Sequence, residues 1–417
     1  MKSISEFEQT ARQAMARGDV ATAMAQWTAL LEQDPGHGPA LNALGNWHLA
    51  KGEAIEARDL FRRANAADPG QPALLFNLAA AERAAGDQLA SLNALDGALA
   101  IDPYFVQAIF QKAVLLEDMG RPREAAIVYR QFLDTAPEDV RGSPRFQPLI
   151  ARAEEAVARD NEALGRSMEA PAPSIRMSEA RAALLGEQPV YVAEPTFLSI
   201  PRLPAIPFFD RAVTPWFEEL EAATPELLAE ATAVAANADD PAFVPYVDNP
   251  PGVPANQWAE LDHSKLWSAF FFWKHGVRNE ANAARCPRTI ALLDRMPLAD
   301  MQGRTPNAFF SVLAPRTRIP VHTGVSNARA TVHLPLIVPP GCGFRVGAET
   351  REWVPGQAWA FDDTIQHEAW NDSDEPRLIL IFDVWNPFLD AEEREFVRQM
   401  LDAHAAHHGR IGFSDTL

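Results

Sequence analysis

The sequence is poor in three things. It has only two cysteines, Cys286 and Cys342, among 417 residues. That is too few for a disulfide framework or a cysteine-built zinc cluster, so reduced or packed thiols are expected. It is short of cations: 37 Lys and Arg stand against 56 Asp and Glu, a formal net charge of −19. Phosphate backbones and anionic membrane faces need a basic surface, so neither nucleic acid nor a charged membrane is expected as a partner. It also lacks any run of about 18 uncharged apolar residues, so no membrane span is expected. The opening stretch MKSISEFEQTARQ has acidic residues early and no apolar core. No signal peptide is therefore expected, and a cytoplasmic location follows by default. The remaining composition, 47% hydrophobic and 22% charged, is ordinary for a globular chain. The length allows two or three domains, each with its own core.

The first third repeats. Gly18, Gly52, Gly86 and Gly120 lie 34 residues apart, as do Pro35, Pro69, Pro103 and Pro137. Ala23, Ala57, Ser91 and Ala125 share one phase of this period, and Trp27, Phe61, Leu95 and Tyr129 another. A helix–turn–helix unit explains the pattern. The Gly takes the turn between two helices, the small residue lets them approach, the large one fills the groove, and the Pro ends the second helix. Residues 1–140 thus resemble an array of about four tetratricopeptide repeats. Such arrays present a concave surface to a peptide or protein, or serve as spacers. Residues 141–177 read as a capping helix followed by the linker APAPSIRM.

From 178 the texture changes. Pro-spaced extended segments lead to a helical stretch over 215–236 and to FVPYVDNPPGVP, whose prolines exclude a regular helix. From about 267 the chain reads as short strands: WSAFFFWKHG, AFFSVLA, RATVHLPLIV, CGFRVGAET, QAWAFDD, HEAWND and RLILIFDVW. The tail 389–405 returns to helix. The expected fold class is multidomain α + β, an α-helical solenoid followed by a double-stranded β-helix (jelly-roll or cupin-like) domain over 178–417.

Three histidines fall in the β region: His322, His333 and His367. Imidazoles on different strands of a barrel can converge on a metal, and a carboxylate would complete a facial triad. In a His-x-Asp layout that carboxylate belongs at 324, which is Gly324. On these residues alone, packing histidines and metal ligands both remain open. Asp362 and Asp363, just before His367, could fix a ligand tautomer or cap a turn.

The segments AFFSVLAPRTRIPVHTG, NARATVHLPLIVPPGCGFRVG and ETREWVPGQAWAFDDTIQHEAWNDSDEPRLILIFDVWNP, over 306–387, resemble the catalytic core of the aspartyl/asparaginyl β-hydroxylase family of 2-oxoglutarate oxygenases. The resemblance implies an Fe(II)- and 2-oxoglutarate-dependent dioxygenase that uses O2 to hydroxylate an unactivated carbon, the β-carbon of Asp or Asn in a protein or peptide. It implies His322 and His367 as the metal ligands and catalytic residues, with Gly324 and a water in place of the carboxylate. It implies Arg377 and Ser311 as partners of the cosubstrate's distal carboxylate, His333 beside its chelating end, and Trp267 as an aromatic wall. A return hairpin from His367 would bring Arg377 near the metal. The substrate chain would be presented by the repeats.

The chain departs from the animal members at two places. Thr331 and Phe309 stand where those members have Arg and Lys. This opens the substrate's identity. Arg316, Arg318 and Arg345 remain as candidate anion contacts. The alternatives are hydroxylation of a non-protein substrate such as a lipid acyl chain, and a non-catalytic adaptor with a degenerate β domain.

Overall fold

A computed structural model describes residues 3–168, 171–237, 240–252, 254 and 256–408. Part of the expected opening segment, Ala170 of the expected linker and residues 409–417 lie outside it. The chain divides into two compact units, Met1–Gln188 and Pro189–Leu417.

The first unit holds four helix pairs: α1 (Ile4–Ala16) and α2 (Val20–Gln33), α3 (Gly38–Ala50) and α4 (Ala54–Ala67), α5 (Pro72–Ala84) and α6 (Gln88–Ile101), α7 (Val106–Asp118) and α8 (Pro122–Thr135). Each intrapair turn carries its glycine at positive φ: Gly18 at 76°, Gly52 at 80°, Gly86 at 88° and Gly120 at 71°. L side chains resist that backbone, which is why the period shows first in glycine. Ala23, Ala57, Ser91 and Ala125 are buried, as are Trp27, Phe61, Leu95 and Tyr129. Ser91 stands in for alanine by donating its hydroxyl to Ala79 O at 2.7 Å. After a short α9 (Glu138–Arg141), α10 (Gln147–Ser167) covers the last pair with Ala153 and Ala156 against the Tyr129–Phe132 cluster. The expected linker is partly helix: Ser174 caps α11 (Ile175–Leu184), its hydroxyl accepting from Met177 N. The break between the units falls after Gln188, later than 178, because Leu185 packs toward Gly165 of α10.

The second unit is built on antiparallel strands: β1 (Val244–Pro245), β2 (Trp267–Lys274), β3 (Val277–Arg278), β4 (Ala308–Leu313), β5 (Thr317–His322), β6 (Arg329–Ile337), β7 (Cys342–Val346), β8 (Glu349–Arg351), β9 (Trp359–Phe361), β10 (His367–Asn371) and β11 (Arg377–Trp385). One sheet has the order β1-β2-β4-β11-β6-β9, with β3 also on β2. The other runs β5-β10-β7-β8. The stretch over 215–236 is two helices, Phe217–Ala222 and Thr224–Ala235. The region after 267 also holds helices Glu280–Ala283 and Pro287–Leu293, which the strand-rich reading missed. They cover the outer face of the larger sheet, with Ile290, Leu292 and Leu293 in the same cluster as Phe270, Phe310 and Phe382.

Alternation along the strands decides which residues face the other sheet. On β11, Leu378, Leu380, Phe382 and Val384 pack under the helices. Arg377, Ile381 and Asp383 line the cavity between the sheets. On β6, Ala330, Val332 and Leu334 are outward, while Arg329, Thr331 and His333 are inward. The same parity turns Phe309 inward from β4 and Trp267 inward from β2.

Candidate functional site

His322 ends β5 and His367 begins β10, and the two are paired residues in the antiparallel ladder. Cross-strand neighbours have Cβ atoms about 5 Å apart. Here the imidazole rings meet with centroids 3.9 Å apart. His322 Nδ1 lies 2.8 Å from Pro320 O, and His367 Nδ1 lies 3.0 Å from Ile365 O. Each Nδ1–H donates to a carbonyl two residues back, which leaves the lone pair on Nε2, the arrangement a metal requires. Backbone carbonyls thus set both tautomers, not the carboxylates of Asp362 or Asp363. Burial holds His367 down at about 4. Burial and the neighbouring His367 hold His322 well below the usual imidazole range. Trp258 closes the far side of His322, edge to ring at 4.8 Å.

Among the described residues, no group of three or more His, Cys, Asp or Glu has the arrangement of a metal cage. Two imidazoles are what this site offers, and Gly324 shows why. A Cβ at 324 would run into the Asp363 carboxylate. That carboxylate is held by Arg329, whose guanidinium donates to Asp363 Oδ2 at 2.7 Å and to Asp383 Oδ1 at 2.7 Å. Asp383 Oδ2 also accepts from Asn307 N at 2.8 Å and Nδ2 at 3.0 Å. Asp362 turns away to cap the loop, accepting from Thr364 N and Oγ1.

Across the cavity stands Arg377, 1% exposed. It reaches the site differently from the expected hairpin. β10 belongs to the smaller sheet and β11 to the larger, so Arg377 approaches from the opposite face of the sandwich. Its Nη2 donates to Ser311 Oγ at 3.1 Å and its guanidinium lies over the Trp353 ring at 4.8 Å. Its Nε has no hydrogen-bond partner, and none of the described ion pairs includes it. Burial lowers it to about 10. A buried guanidinium with no anion is costly, and such a group awaits one. Trp267 Nε1 donates to the same Ser311 Oγ at 3.0 Å. With both lone pairs engaged, the Ser311 proton is left to be given to a third group.

His333 is buried between Phe344 and Phe361, its Nδ1 without a partner, and burial with nearby Arg377 keeps it neutral. It lines the same cavity as His322, His367, Arg377 and Trp267, a volume of about 80 Å³. His322, His333, His367, Arg377 and Trp267 therefore converge, and Ser311 joins them through its bonds to Trp267 and Arg377. Arg345, Arg316 and Arg318 do not join them. They pair with Glu368, Asp374 and Asp372. Sequence reasoning missed Tyr246, Trp258 and Asp383. Tyr246 stacks on Trp267 with centroids 3.9 Å apart. The available signal for Asp383 was a lone acid inside the apolar run LILIFDVW.

Residues 225–387 match the family model described as aspartyl/asparaginyl beta-hydroxylase. The human protein named aspartyl/asparaginyl beta-hydroxylase is 39% identical over 130 residues, 31% of this chain and 17% of its own length. An ornithine lipid ester-linked acyl 2-hydroxylase from Rhizobium tropici is 32% identical over 199 residues, 47% of this chain and 66% of its own. An aspartate beta-hydroxylase domain-containing protein 2 from Xenopus tropicalis is 31% identical over 207 residues, covering 49% and 54%. The chain thus spans less than two thirds of these relatives' length. Among solved structures, one of MamA protein gives a TM-score of 0.34 at 16% identity over 45% of this chain and 97% of that one. A score that low leaves the helical unit's architecture to rest on its own repeat geometry. With the imidazole pair and its matched segment in place, the β-rich unit is similar over residues 225–387 to the aspartyl/asparaginyl beta-hydroxylase family, and it follows a helical array of tetratricopeptide-type repeat geometry.

Proposed function

We propose that the β-rich unit is an iron(II)- and 2-oxoglutarate-dependent dioxygenase that hydroxylates the β-carbon of Asp or Asn in a protein or peptide. The observation that carries this reading is the opposition of two adjacent imidazoles, each with its Nδ1 on a backbone carbonyl, on one sheet to a buried guanidinium without an ion-pair partner on the other. When bound, iron and 2-oxoglutarate supply, with dioxygen, the oxidising power to place a hydroxyl on an unactivated carbon, with succinate and carbon dioxide as co-products. His322 and His367 would hold the metal through Nε2 while their Nδ1 protons stay on Pro320 O and Ile365 O. Arg377 and the Ser311 hydroxyl would grip the distal carboxylate, and Trp267 fixes the Ser311 rotor. Neutral His333 would face the chelating end. Phe344, Phe361 and Ile381 give the cavity its apolar wall. The helical array is proposed to contact the protein substrate.

A second reading, hydroxylation of a lipid acyl chain, is favoured by the name and coverage of the Rhizobium relative. Among the described residues no helix is long and apolar enough to cross a membrane. The test of the enzyme class is succinate formation by the full chain with iron(II), 2-oxoglutarate and air. His322→Ala should abolish it. Undiminished succinate in that variant would sink the ligand assignment.

A further inference from the structure

We infer that the cavity admits an amide side chain beside the hydroxylated carbon and rejects a carboxylate. This rests on the proposed dioxygenase reading and narrows its substrate.

The cavity has two polar ends. At one, Arg377 is a lone cation with Ser311 beside it. At the other, Arg329 is the cation, and its charge is already matched: its Nη2 meets Asp363 and its Nη1 meets Asp383 and Thr331 Oγ1, at 2.7, 2.7 and 2.9 Å, leaving only its Nε without a hydrogen-bond partner. One guanidinium against two carboxylates leaves this end one negative charge. If one carboxylate holds a proton the end becomes neutral, and in neither state is it positive. The other lining side chains here, Tyr246, Asn307, Phe309 and Thr331, carry no charge. Arg329 and Arg377 are the arginine and lysine cations lining the cavity among the described residues. Once Arg377 faces the cosubstrate, an incoming carboxylate meets two aspartates and no side-chain cation that is not already ion-paired.

A second feature points the same way. Asp363 is 6% exposed, lines the cavity, and its Oδ1 has no hydrogen-bond partner among the described residues. Although Arg329 and Thr331 serve this carboxylate, its unpartnered oxygen favours an occupant that brings N–H groups and disfavours one that brings only acceptors. An asparagine amide supplies two such protons and an aspartate none.

The experiment uses the full chain loaded with manganese(II) and 2-oxoglutarate. Two peptide pools with randomised flanks are compared, one with a fixed central Asn and one with a fixed central Asp, and the bound fraction of each is measured. At least tenfold preference for the Asn pool is expected. Parity, preference for Asp, or no retention of either pool overturns the inference. Thr331→Arg places a free cation at this end and should shift the preference toward Asp by tenfold or more. Asp383→Asn, which removes one negative charge, should shift it the same way and serves if the first variant fails to fold. A preference untouched by both overturns the assignment to this end. Binding of 2-oxoglutarate itself, measured by manganese-dependent quenching of tryptophan emission in the wild-type chain, separates the two levels. Its absence defeats the dioxygenase reading, whereas its presence with an unselective peptide site defeats only the present one.

Discussion

Gly324 and Asp363 share one place: the side chain that Gly324 lacks would overlap the Asp363 carboxylate, while Gly324 N donates to Asp363 O at 2.6 Å. The vacancy in the His-x-Asp layout is therefore filled from another loop, by an acid already bonded to Arg329. Restoring the layout with Gly324→Asp should not build a triad. It should expel Asp363, cost about 1–3 kcal/mol of overpacking, and weaken metal binding. Urea unfolding with a manganese titration checks this, and a stable variant with tighter metal binding would contradict it.

Arg377 gives opposite signs for stability and for binding. Burial lowers its pKa from the ordinary guanidinium range to about 10. For a base, a lowered folded pKa means the charged form is disfavoured, so below about pH 10 the group destabilises the ligand-free fold, by on the order of 3 kcal/mol at ~1.4 per pKa unit. Arg377→Met should raise the melting temperature without ligand and abolish 2-oxoglutarate binding. A variant that loses both stability and binding would mark Arg377 as a structural residue.

Ser311 Oγ serves Trp267 and Arg377 together. Ser311→Ala strands two buried donors, at about 1–3 kcal/mol for each group left unsatisfied. Trp267→Phe removes one donor and leaves the other bonded. The Ser311→Ala variant should bind 2-oxoglutarate more weakly. In the double variant, stability should fall by less than the two single losses added, which a thermal unfolding cycle measures.

Asp362 supplies the pH dependence. Burial first, and the neighbouring Asp363 charge, raise it to about 6, against opposing hydrogen bonds from Thr364. A raised folded pKa in an acid gives stability that is complete below the unfolded value near 3.8 and is lost as pH rises through about 6. Asp362→Asn keeps an acceptor for Thr364 and removes the charge. Its advantage over wild type should be near zero at pH 4 and fully developed by pH 7, by on the order of 3 kcal/mol for a shift of about two units. A gap independent of pH would refute the assignment.

In the helical unit, Gly45 of α3 abuts the Phe61 ring, which lies 2.7 Å from where its Cβ would be. Gly45→Ala should cost about 1–3 kcal/mol there and leave 2-oxoglutarate binding unaltered. Loss of cosubstrate binding in this variant would show coupling between the units.

The repeats were legible because turn glycines and groove-filling residues recur at one period, so Gly18 and Trp27 each announce three equivalents. Gly45 has no such echo, since its smallness answers to one ring. The site's members were legible by resemblance; their arrangement was not. Strand parity could have placed Arg329, Thr331 and His333 on one face. The pairing of Arg329 with Asp363 and Asp383 depends on a contact between strands and a loop far apart in sequence. β5 went unseen because Pro320 interrupts its pattern. The ladder partnership of His322 and His367, and the separation of β10 from β11 into different sheets, are matters of topology that local composition does not encode.

That separation has a mechanical consequence. The imidazole pair rides on the four-stranded sheet and the guanidinium on the seven-stranded one. A molecule chelated by the first and gripped by the second would act as a rivet through the sandwich. Its departure would release the same seam whose opening admits solvent, so the breathing of the two layers and the lifetime of the bound acid would be one process.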